Sequence, residues 1–204
     1  MTRILLFCLF STLSFAQNVK LKTGDIIFQS MNCGPLCEAI NEVTEGYQGK
    51  DFSHLGLVLI QNDSIYIIEA GGKEVKLTPY KTFKTYTNEE MYVGRLKPKY
   101  RKYIPEAIAF SLKQIGTPYD EEYIYDNGKY YCSELIYDAF LEAYKKPLFQ
   151  MFPMTFKSPK TNKYFEVWEE YYKNLKMEIP EGELGCNPGG ISTSDKLKII
   201  GTVY

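Results

Sequence analysis

Two apolar segments separated by a two-residue turn restrict the fold of this chain more than any other feature. Residues 53–61 read SHLGLVLIQ, residues 64–70 read SIYIIEA, and Asn62-Asp63 lies between them. Segments rich in β-branched residues on either side of such a turn predict a β-hairpin. The glycine pair that follows the second segment is expected to end it, and a third strand is predicted around residues 73–77.

The register of the predicted hairpin brings a histidine and a carboxylate to one face. If Gln61 faces Ser64, then Gly56 faces Glu69, and His54 is the diagonal neighbour of Glu69. Diagonal neighbours lie about 7–8 Å apart at the backbone, within reach of two long side chains. The other residues of that face are apolar or glycine, so a carboxylate there is unfavourable unless it is paired. A structural histidine and a solvent-facing carboxylate at the strand end are the alternatives.

A helix predicted from Cys132 to about Tyr144 begins at a cysteine. Its apolar positions follow a helical period and form one stripe: Leu135, Ile136, Ala139, Phe140 and Ala143. Unpaired backbone N–H groups and the positive end of the helix dipole favour a thiolate at the first position. Cys132 is therefore a candidate nucleophile, and the alternative is a small buried apolar residue.

A cysteine hydrolase needs a base and a polar group that orients the base. The chain contains one histidine, His54. We therefore expect Cys132 to attack an acyl carbon, His54 to accept and return the proton, and Glu69 to hold the imidazole. The backbone N–H of Cys132 would bind the oxyanion, and Tyr119 and Ser133 are candidates for further contacts to the oxyanion or substrate.

Five short motifs carry a resemblance to a known family. In chain order they are GDIIF at 24–28, FSHLG at 52–56, IEA at 68–70, GTPY at 116–119 and YCSEL at 131–135. Together they resemble the circularly permuted papain-fold hydrolases, the YiiX-like relatives of NlpC-type cell-wall peptidases, with a more distant similarity to lecithin retinol acyltransferase. The resemblance covers roughly residues 20 to 145 and places the histidine before the cysteine.

The resemblance implies the α+β class, with a circularly permuted papain-like (NlpC-type) fold in which an antiparallel sheet or partial barrel packs against helices. It also implies Cys132 as nucleophile, His54 as base and Glu69 as orienting residue. The segment 187–194 is similar to a C-terminal loop of the family that borders the cleft. Residues 181–194 are rich in Gly, Pro and Ser and are predicted to be loop. Residues 146–186 are interpreted as an insertion of unassigned role.

The N-terminal segment predicts export. Residues 1–16 combine Arg3, a short apolar core and the small-x-small sequence Ser14-Phe15-Ala16, which is typical of a cleaved secretory signal. No second apolar span of membrane length follows, so we expect a periplasmic or secreted protein without stable membrane insertion. The length of 204 residues then suggests one hydrolase domain over 17–204. The net charge of −1, without a Lys/Arg run, gives no sign of nucleic-acid binding.

Four cysteines follow the signal segment: Cys33, Cys37, Cys132 and Cys186. An oxidising compartment favours disulfides among them, and the short Cys33–Cys37 spacing suits a local bridge or a redox pair. One histidine and scattered cysteines do not form a zinc-ligand pattern, so no metal site is predicted, and the chemistry needs no cofactor.

Three functions remain open from the sequence. The first is a secreted cysteine hydrolase that cleaves amide bonds of cell-wall or related small peptides through an acyl-cysteine intermediate. The second is an acyltransferase, thioesterase or lipid esterase on the same triad, with an acyl substrate. The third is a non-catalytic binding module, which a disulfide from Cys132 to Cys186 or Cys33 would favour. The oligomeric state is not predicted.

Overall fold

The computed structural model describes residues 19–204, so the predicted signal segment 1–16 lies outside the described residues. The strands are β1 (Ile26–Gln29), β2 (His54–Gln61), β3 (Ser64–Gly71), β4 (Glu74–Pro79), β5 (Met91–Leu96), β6 (Phe152–Pro153), β7 (Leu184–Gly185) and β8 (Leu197–Val203). The α-helices are α1 (Pro35–Val43), α2 (Tyr80–Phe83), α3 (Ile104–Lys113), α4 (Cys132–Tyr144), α5 (Glu166–Leu175) and α6 (Pro188–Ser192). Short 3-10 helices cover Tyr47–Gly49, Lys84–Tyr86 and Pro98–Tyr103.

A six-stranded antiparallel sheet forms the centre of the molecule. Its strand order is β4-β3-β2-β1-β5-β8, and β6 and β7 pair separately as a two-stranded ribbon. The antiparallel sheet packed against helices confirms the α+β architecture that the sequence predicts. Within residues 19–204, none of the helices combines the length and the apolar character needed to cross a membrane.

The β2–β3 hairpin adopts the predicted register. Gln61 pairs with Ser64, and the pairing continues along the two strands to Leu57 and Ile68. Asn62 and Asp63 both have positive φ, at 49° and 57°. Two consecutive residues with positive φ form the type of turn whose twist matches that of the flanking strands. The turn and the apolar alternation therefore specify the same register.

The two faces of the sheet bury two different groups of side chains. Ile26 and Leu57 pack with residues of α3 and α4 in one cluster, whereas Ile27 and Val58 pack with Phe83 in another. This division follows from the alternation of side chains along a strand. Full burial of each large apolar side chain stabilises the fold by about 1.5–3 kcal/mol.

The segment 181–194 is more regular than the sequence predicts, and its assignment as loop is wrong in part. It contains the short strand β7 and the helix α6. The side chain of Asn187 caps α6 by accepting a hydrogen bond of 2.7 Å from the N–H of Gly190, and Pro188 occupies the first turn. An Asn cap followed by proline is sufficient to start a helix despite the glycines.

The segment 146–186 has its own apolar cluster and packs on α1. Phe156, Trp168 and Tyr172 are buried together against Ala39 of α1. The rings of Phe156 and Trp168 meet edge to face, with centroids 5.1 Å apart. This contact places β6, α5 and β7 beside the N-terminal end of α4.

Candidate active site

Cys132 is the first residue of α4 and is almost completely buried, with 7% of its surface exposed. Glu134, in the first turn, fixes the start of this helix. One of its carboxyl oxygens accepts the N–H of Asp126 at 3.0 Å, and the other accepts the N–H of Tyr131 at 3.4 Å. Burial raises the pKa of Glu134 to about 8, although these two backbone bonds oppose the shift. A largely neutral Glu134 leaves the positive end of the helix dipole available to the thiol at neutral pH.

His54 and Glu69 form a buried pair on the sheet. The Nε2–H of His54 donates to Oε2 of Glu69 at 2.5 Å, and both residues are at most 4% exposed. A carboxylate on Nε2 sets the tautomer and orientation of the ring and leaves Nδ1 as the nitrogen that can exchange a proton. The diagonal contact expected from the hairpin register is thus present.

Three further side chains surround the Glu69 carboxylate. Oε1 accepts the hydroxyl of Thr78 at 2.5 Å and that of Tyr86 at 3.3 Å, and the Lys76 ammonium lies 3.9 Å away. Burial raises the pKa of Glu69, but the imidazole of His54, the Thr78 hydroxyl and the Lys76 charge outweigh it and lower the pKa overall. Glu69 is therefore an ionised, fully bonded carboxylate, which suits an orienting group.

The thiol of Cys132 interacts directly with the imidazole of His54. Burial by itself lowers the pKa of His54, but hydrogen bonding and charge from Cys132 and Glu69 outweigh it and raise the pKa to about 9. The imidazole is therefore charged at neutral pH when it lies between a thiolate and a carboxylate. A histidine beside a cysteine is the arrangement that activates a nucleophilic cysteine.

The two predicted hydroxyl candidates have different surroundings. Burial and the neighbouring Tyr123 and Cys132 raise the pKa of Tyr119 well above its usual value, so its hydroxyl stays protonated and can donate. The hydroxyl of Ser133 instead donates to the carbonyl of Cys186 at 2.8 Å. This bond holds the 185–187 segment against α4. Because the Ser133 hydroxyl already donates its proton there, Tyr119 is the better side-chain donor to an oxyanion.

Sequence reasoning missed Tyr123, Thr78 and Gln29. Tyr123 has a positive φ of 55° and hydrogen-bonds the hydroxyl of Tyr119 beside Cys132. Lys76 pairs with Glu69, so Thr78, two residues further along β4, is the diagonal neighbour of Glu69. The predicted third strand ends at residue 77 and therefore leaves Thr78 out. Gln29 pairs directly with His54 across β1 and β2, and its buried amide has no hydrogen-bond partner within the described residues.

A cleft of about 600 Å³ opens onto Cys132. One wall comes from α1 and the residues after it, the other from β6, α5 and β7, and the segment that contains α6 completes the rim. The sequence assigns no role to 146–186, and the structure makes this segment a wall of the cleft. The expectation that 187–194 borders the cleft is met by Asn187, Pro188, Gly190 and Thr193.

The four cysteines within residues 19–204 divide into a disulfide and two free thiols. Cys33 and Cys37 form a disulfide with Cα atoms 5.4 Å apart, at the start of α1. Cys132 and Cys186 are free and buried. Burial raises the pKa of Cys186 above the ordinary range of a thiol, although hydrogen bonds from Ser133 and Tyr131 oppose the shift. The disulfide that would favour a binding module is therefore not formed by Cys132.

The site has a cysteine at the start of a helix and a histidine on an antiparallel sheet. The histidine comes first in the chain, and this order defines the circularly permuted papain-like class. Residues 20–201 match the sequence model of the family described as "Permuted papain-like amidase enzyme, YaeF/YiiX, C92 family". The chain belongs to this family. Membership supports a role of the cysteine-hydrolase type.

Two proteins from Escherichia coli are similar to this chain, one in sequence and one in structure. The uncharacterized protein YiiX of strain K12 is 30% identical over 127 residues, which are 60% of this chain and 58% of YiiX. The chain thus aligns with less than two thirds of that relative. A crystal structure of "metalloprotein yiiX" from strain O157:H7 has a TM-score of 0.72 at 24% identity and covers 90% of this chain and 98% of the other. At this identity the likeness concerns the fold.

The Escherichia coli protein of that crystal structure is described as a metalloprotein. Among residues 19–204 of the present chain, no three His, Cys, Asp or Glu side chains are grouped so that they could hold a metal ion. The side chains of the described residues therefore do not fit such a centre.

Proposed function

We propose that this protein is an exported cysteine amidase in which Cys132 is the nucleophile, His54 the acid–base and Glu69 the orienting group. The observation that carries the proposal is the continuous contact from the Cys132 thiol through the His54 imidazole to the Glu69 carboxylate. Nucleophile, base and orienting carboxylate in hydrogen-bond sequence are what nucleophilic acyl transfer requires.

In the first half of the reaction, the Cys132 thiolate attacks the carbonyl carbon of the amide. The C–N bond then breaks, and the imidazolium of His54 gives its proton to the departing nitrogen. The negative oxygen formed in between accepts hydrogen bonds from the backbone N–H of Cys132 and from the hydroxyl of Tyr119. The products of this half are a free amine and an acyl-cysteine.

In the second half, neutral His54 removes a proton from water, and the resulting hydroxide adds to the acyl-cysteine. The C–S bond breaks, the thiolate of Cys132 is restored, and His54 is again the imidazolium. The released product is a carboxylic acid. Glu69 remains ionised throughout and stabilises the imidazolium at both stages, because its pKa is lowered by its bonded neighbours.

Export is part of the proposal and rests on the signal-like residues 1–16. A disulfide between Cys33 and Cys37 fits an oxidising compartment, where such bonds persist.

The test uses the mature chain, residues 17–204, with cell-wall peptides and neutral N-acyl amides supplied side by side. Mass spectrometry follows the released amine and acid, and rapid acid quenching traps the enzyme for intact mass measurement. We expect the wild type to turn over at least one amide and to gain the mass of its acyl group. The Cys132→Ala variant should do neither. Equal turnover by the two proteins would refute the proposal.

A further inference from the structure

A separate pocket of about 430 Å³ lies at the end of the sheet where the last residues of β5 pair with the first residues of β8. Its lining comes from the end of β5 and the residues that follow it, from the segment between α6 and β8, and from β8 itself. Among the described residues, Thr193 is the one that lines both this pocket and the cleft at Cys132. The pocket is therefore distinct from the candidate active site.

Basic residues are concentrated at this pocket. Five of the eight residues 95–102 are Lys or Arg, although they do not form an uninterrupted run. Four cations line the pocket, namely Arg95, Lys97, Arg101 and Lys198. None of the described residues that line it is Asp or Glu. The whole chain has a formal net charge of −1, so this excess of positive charge is local.

Three of the four cations are not neutralised within the protein. Arg95 is paired with Asp25, to which its Nε and Nη2 atoms each donate at 2.7 Å. Lys97, Arg101 and Lys198 form no ion pair with any described carboxylate. The Nε–H of Arg101 donates to the carbonyl of Leu96 at 2.9 Å, which holds the guanidinium in place and leaves its terminal nitrogens for another acceptor.

The pairing of β5 with β8 adds a charge conflict at the pocket. Arg95 and Lys198 are direct partners across the two strands. Like charges in directly opposite positions destabilise a sheet. Asp25 offsets the charge of Arg95, whereas Lys198 has no such counterpart among the described residues. An anion in the pocket would supply the missing negative charge.

The effect of these cations on an anion is visible at Asp195, between α6 and β8. A hydrogen bond to Lys196 and the charges of Lys97 and Lys99 lower the pKa of Asp195. Asp195 is exposed and does not line the pocket, so its carboxylate leaves the pocket open to another anion.

Ser194 adds a neutral donor to the lining. Its hydroxyl accepts the N–H of Lys196 at 3.2 Å, and the hydroxyl proton has no acceptor among the described residues. Guanidinium, ammonium and hydroxyl groups together are the donors that bind phosphate oxygens. A phosphate monoester carries nearly two negative charges and three acceptor oxygens, which suits three uncompensated cations better than a single carboxylate does.

We infer that this pocket binds a phosphate group through Lys97, Arg101 and Lys198, with Ser194 as a hydroxyl donor. The same chemistry is offered by free phosphate and by the phosphate monoester head group of a lipid. The inference is independent of the proposed amidase function, because it uses none of the triad residues.

The first test is a calorimetric titration of the protein with inorganic phosphate at low ionic strength. We expect binding that weakens as NaCl is added, since salt screens exposed charges. Arg101→Gln and Lys198→Gln should each weaken it by about tenfold, because each removes a charged donor. Both residues are exposed, so the variants should keep the wild-type Tm.

Lys113→Gln is the matched control, since Lys113 is an exposed cation on α3 that does not line the pocket. Phosphate binding should be unchanged in this variant. A loss as large as that in Arg101→Gln would show that phosphate responds only to the overall charge of the protein, and it would overturn the inference.

The second test separates the two sources of the phosphate group. The same four proteins are sedimented with vesicles of phosphatidylcholine, with and without phosphatidic acid, whose head group is a phosphate monoester. Binding to the phosphatidic acid vesicles that is lost in Arg101→Gln and Lys198→Gln, and retained in Lys113→Gln, would support the inference with a lipid as the source. Calorimetric binding of phosphate without vesicle binding would support it with a soluble source. Binding of neither probe by the wild type would overturn the inference and leave the amidase function intact.

Discussion

The Nε2–H of His54 donates to Oε2 of Glu69 at 2.5 Å, and the thiol of Cys132 also acts on the imidazole and raises its pKa. The imidazole of His54, which is 4% exposed, therefore interacts with both an ionised carboxylate and a nucleophile. Both neighbours favour the protonated imidazole, which links the geometry of the pair to pH.

The first prediction concerns the alkaline limit of activity. The pKa of His54 is raised to about 9, so the imidazolium that protonates the departing nitrogen is lost above that pH. We expect kcat/KM to fall as pH rises through about 9. Glu69→Gln removes a charge that raises the His54 pKa, so its alkaline limb should move to lower pH.

The pH profile of kcat/KM for the two proteins measures this shift. Glu74→Gln removes an exposed carboxylate of β4 and serves as the control with an unshifted limb. An alkaline limb in Glu69→Gln that coincides with the wild type would show that Glu69 does not act on His54.

The second prediction concerns stability and pH. A histidine whose pKa rises from 6.5 to about 9 on folding stabilises the fold fully below pH 6.5, and this contribution disappears as pH rises through 9. Glu134 acts in the same direction, because its pKa rises from 4.5 to about 8 and ionisation of the buried carboxyl opposes folding. Thermal unfolding should therefore show a Tm that decreases between pH 6.5 and 9.

Glu134→Gln tests the second contribution, since an uncharged amide resembles the protonated acid. The decrease in Tm between pH 6.5 and 8 should become smaller in this variant. A wild-type Tm that increases over this interval would contradict both assignments.

The third prediction compares the two free thiols. Iodoacetamide reacts with thiolates, and Cys132 lies beside an imidazolium at a helix start, whereas burial raises the pKa of Cys186. At pH 7 we expect alkylation at Cys132 and none at Cys186, as read by peptide mass spectrometry. His54→Ala should slow the labelling of Cys132. Labelling that is equal at the two cysteines would remove the case for an activated nucleophile.

Much of this site follows from local patterns in the sequence, and the remainder depends on contacts between distant segments. The hairpin register follows from a turn with two positive-φ residues and from apolar alternation, so His54 and Glu69 could be paired in advance. The helix start at Cys132 follows from a turn and an apolar period. These signals involve residues that are close in the sequence, so they can be recognised without knowledge of the fold.

Thr78, Tyr123 and the wall made by 146–186 could not be found in this way. Thr78 belongs to a strand whose predicted end is two residues too early, and a hydroxyl there has no pattern that links it to Glu69. Tyr123 lies near enough to Cys132 for the two side chains to influence each other, and its positive φ is not indicated by any local pattern. The wall depends on aromatic contacts between α1 and α5, which are distant in the chain.

The fourth prediction tests Thr78 as a positioning residue. Its hydroxyl donates to the Glu69 oxygen that does not bind His54. Thr78→Val keeps the shape of the side chain and leaves that oxygen with weaker partners, at a cost of about 1–3 kcal/mol in unfolding free energy. Because the Thr78 hydroxyl holds the carboxylate in its orientation toward His54, its loss should also weaken the bond to the imidazolium, and the alkaline limb of kcat/KM should move to lower pH.

Thr82→Val, an exposed change in α2, is the control for that experiment. A loss of stability in Thr78→Val with an unchanged pH profile would limit Thr78 to a structural role.

The fifth prediction concerns the buried amide next to the triad. Gln29 is fully buried opposite His54, and both polar atoms of its side chain lack a hydrogen-bond partner within the described residues. A buried unpaired polar group costs about 1–3 kcal/mol, so Gln29→Met, which has a similar shape, should stabilise the protein. For a chain of this size each kcal/mol raises Tm by about 2–4 °C. Gln61→Met, on the exposed end of β2, should leave Tm nearly unchanged. A lower Tm in Gln29→Met would mean that the amide is bonded in solution, by water or by a rearranged neighbour, and that it contributes to holding β1 against β2 at His54.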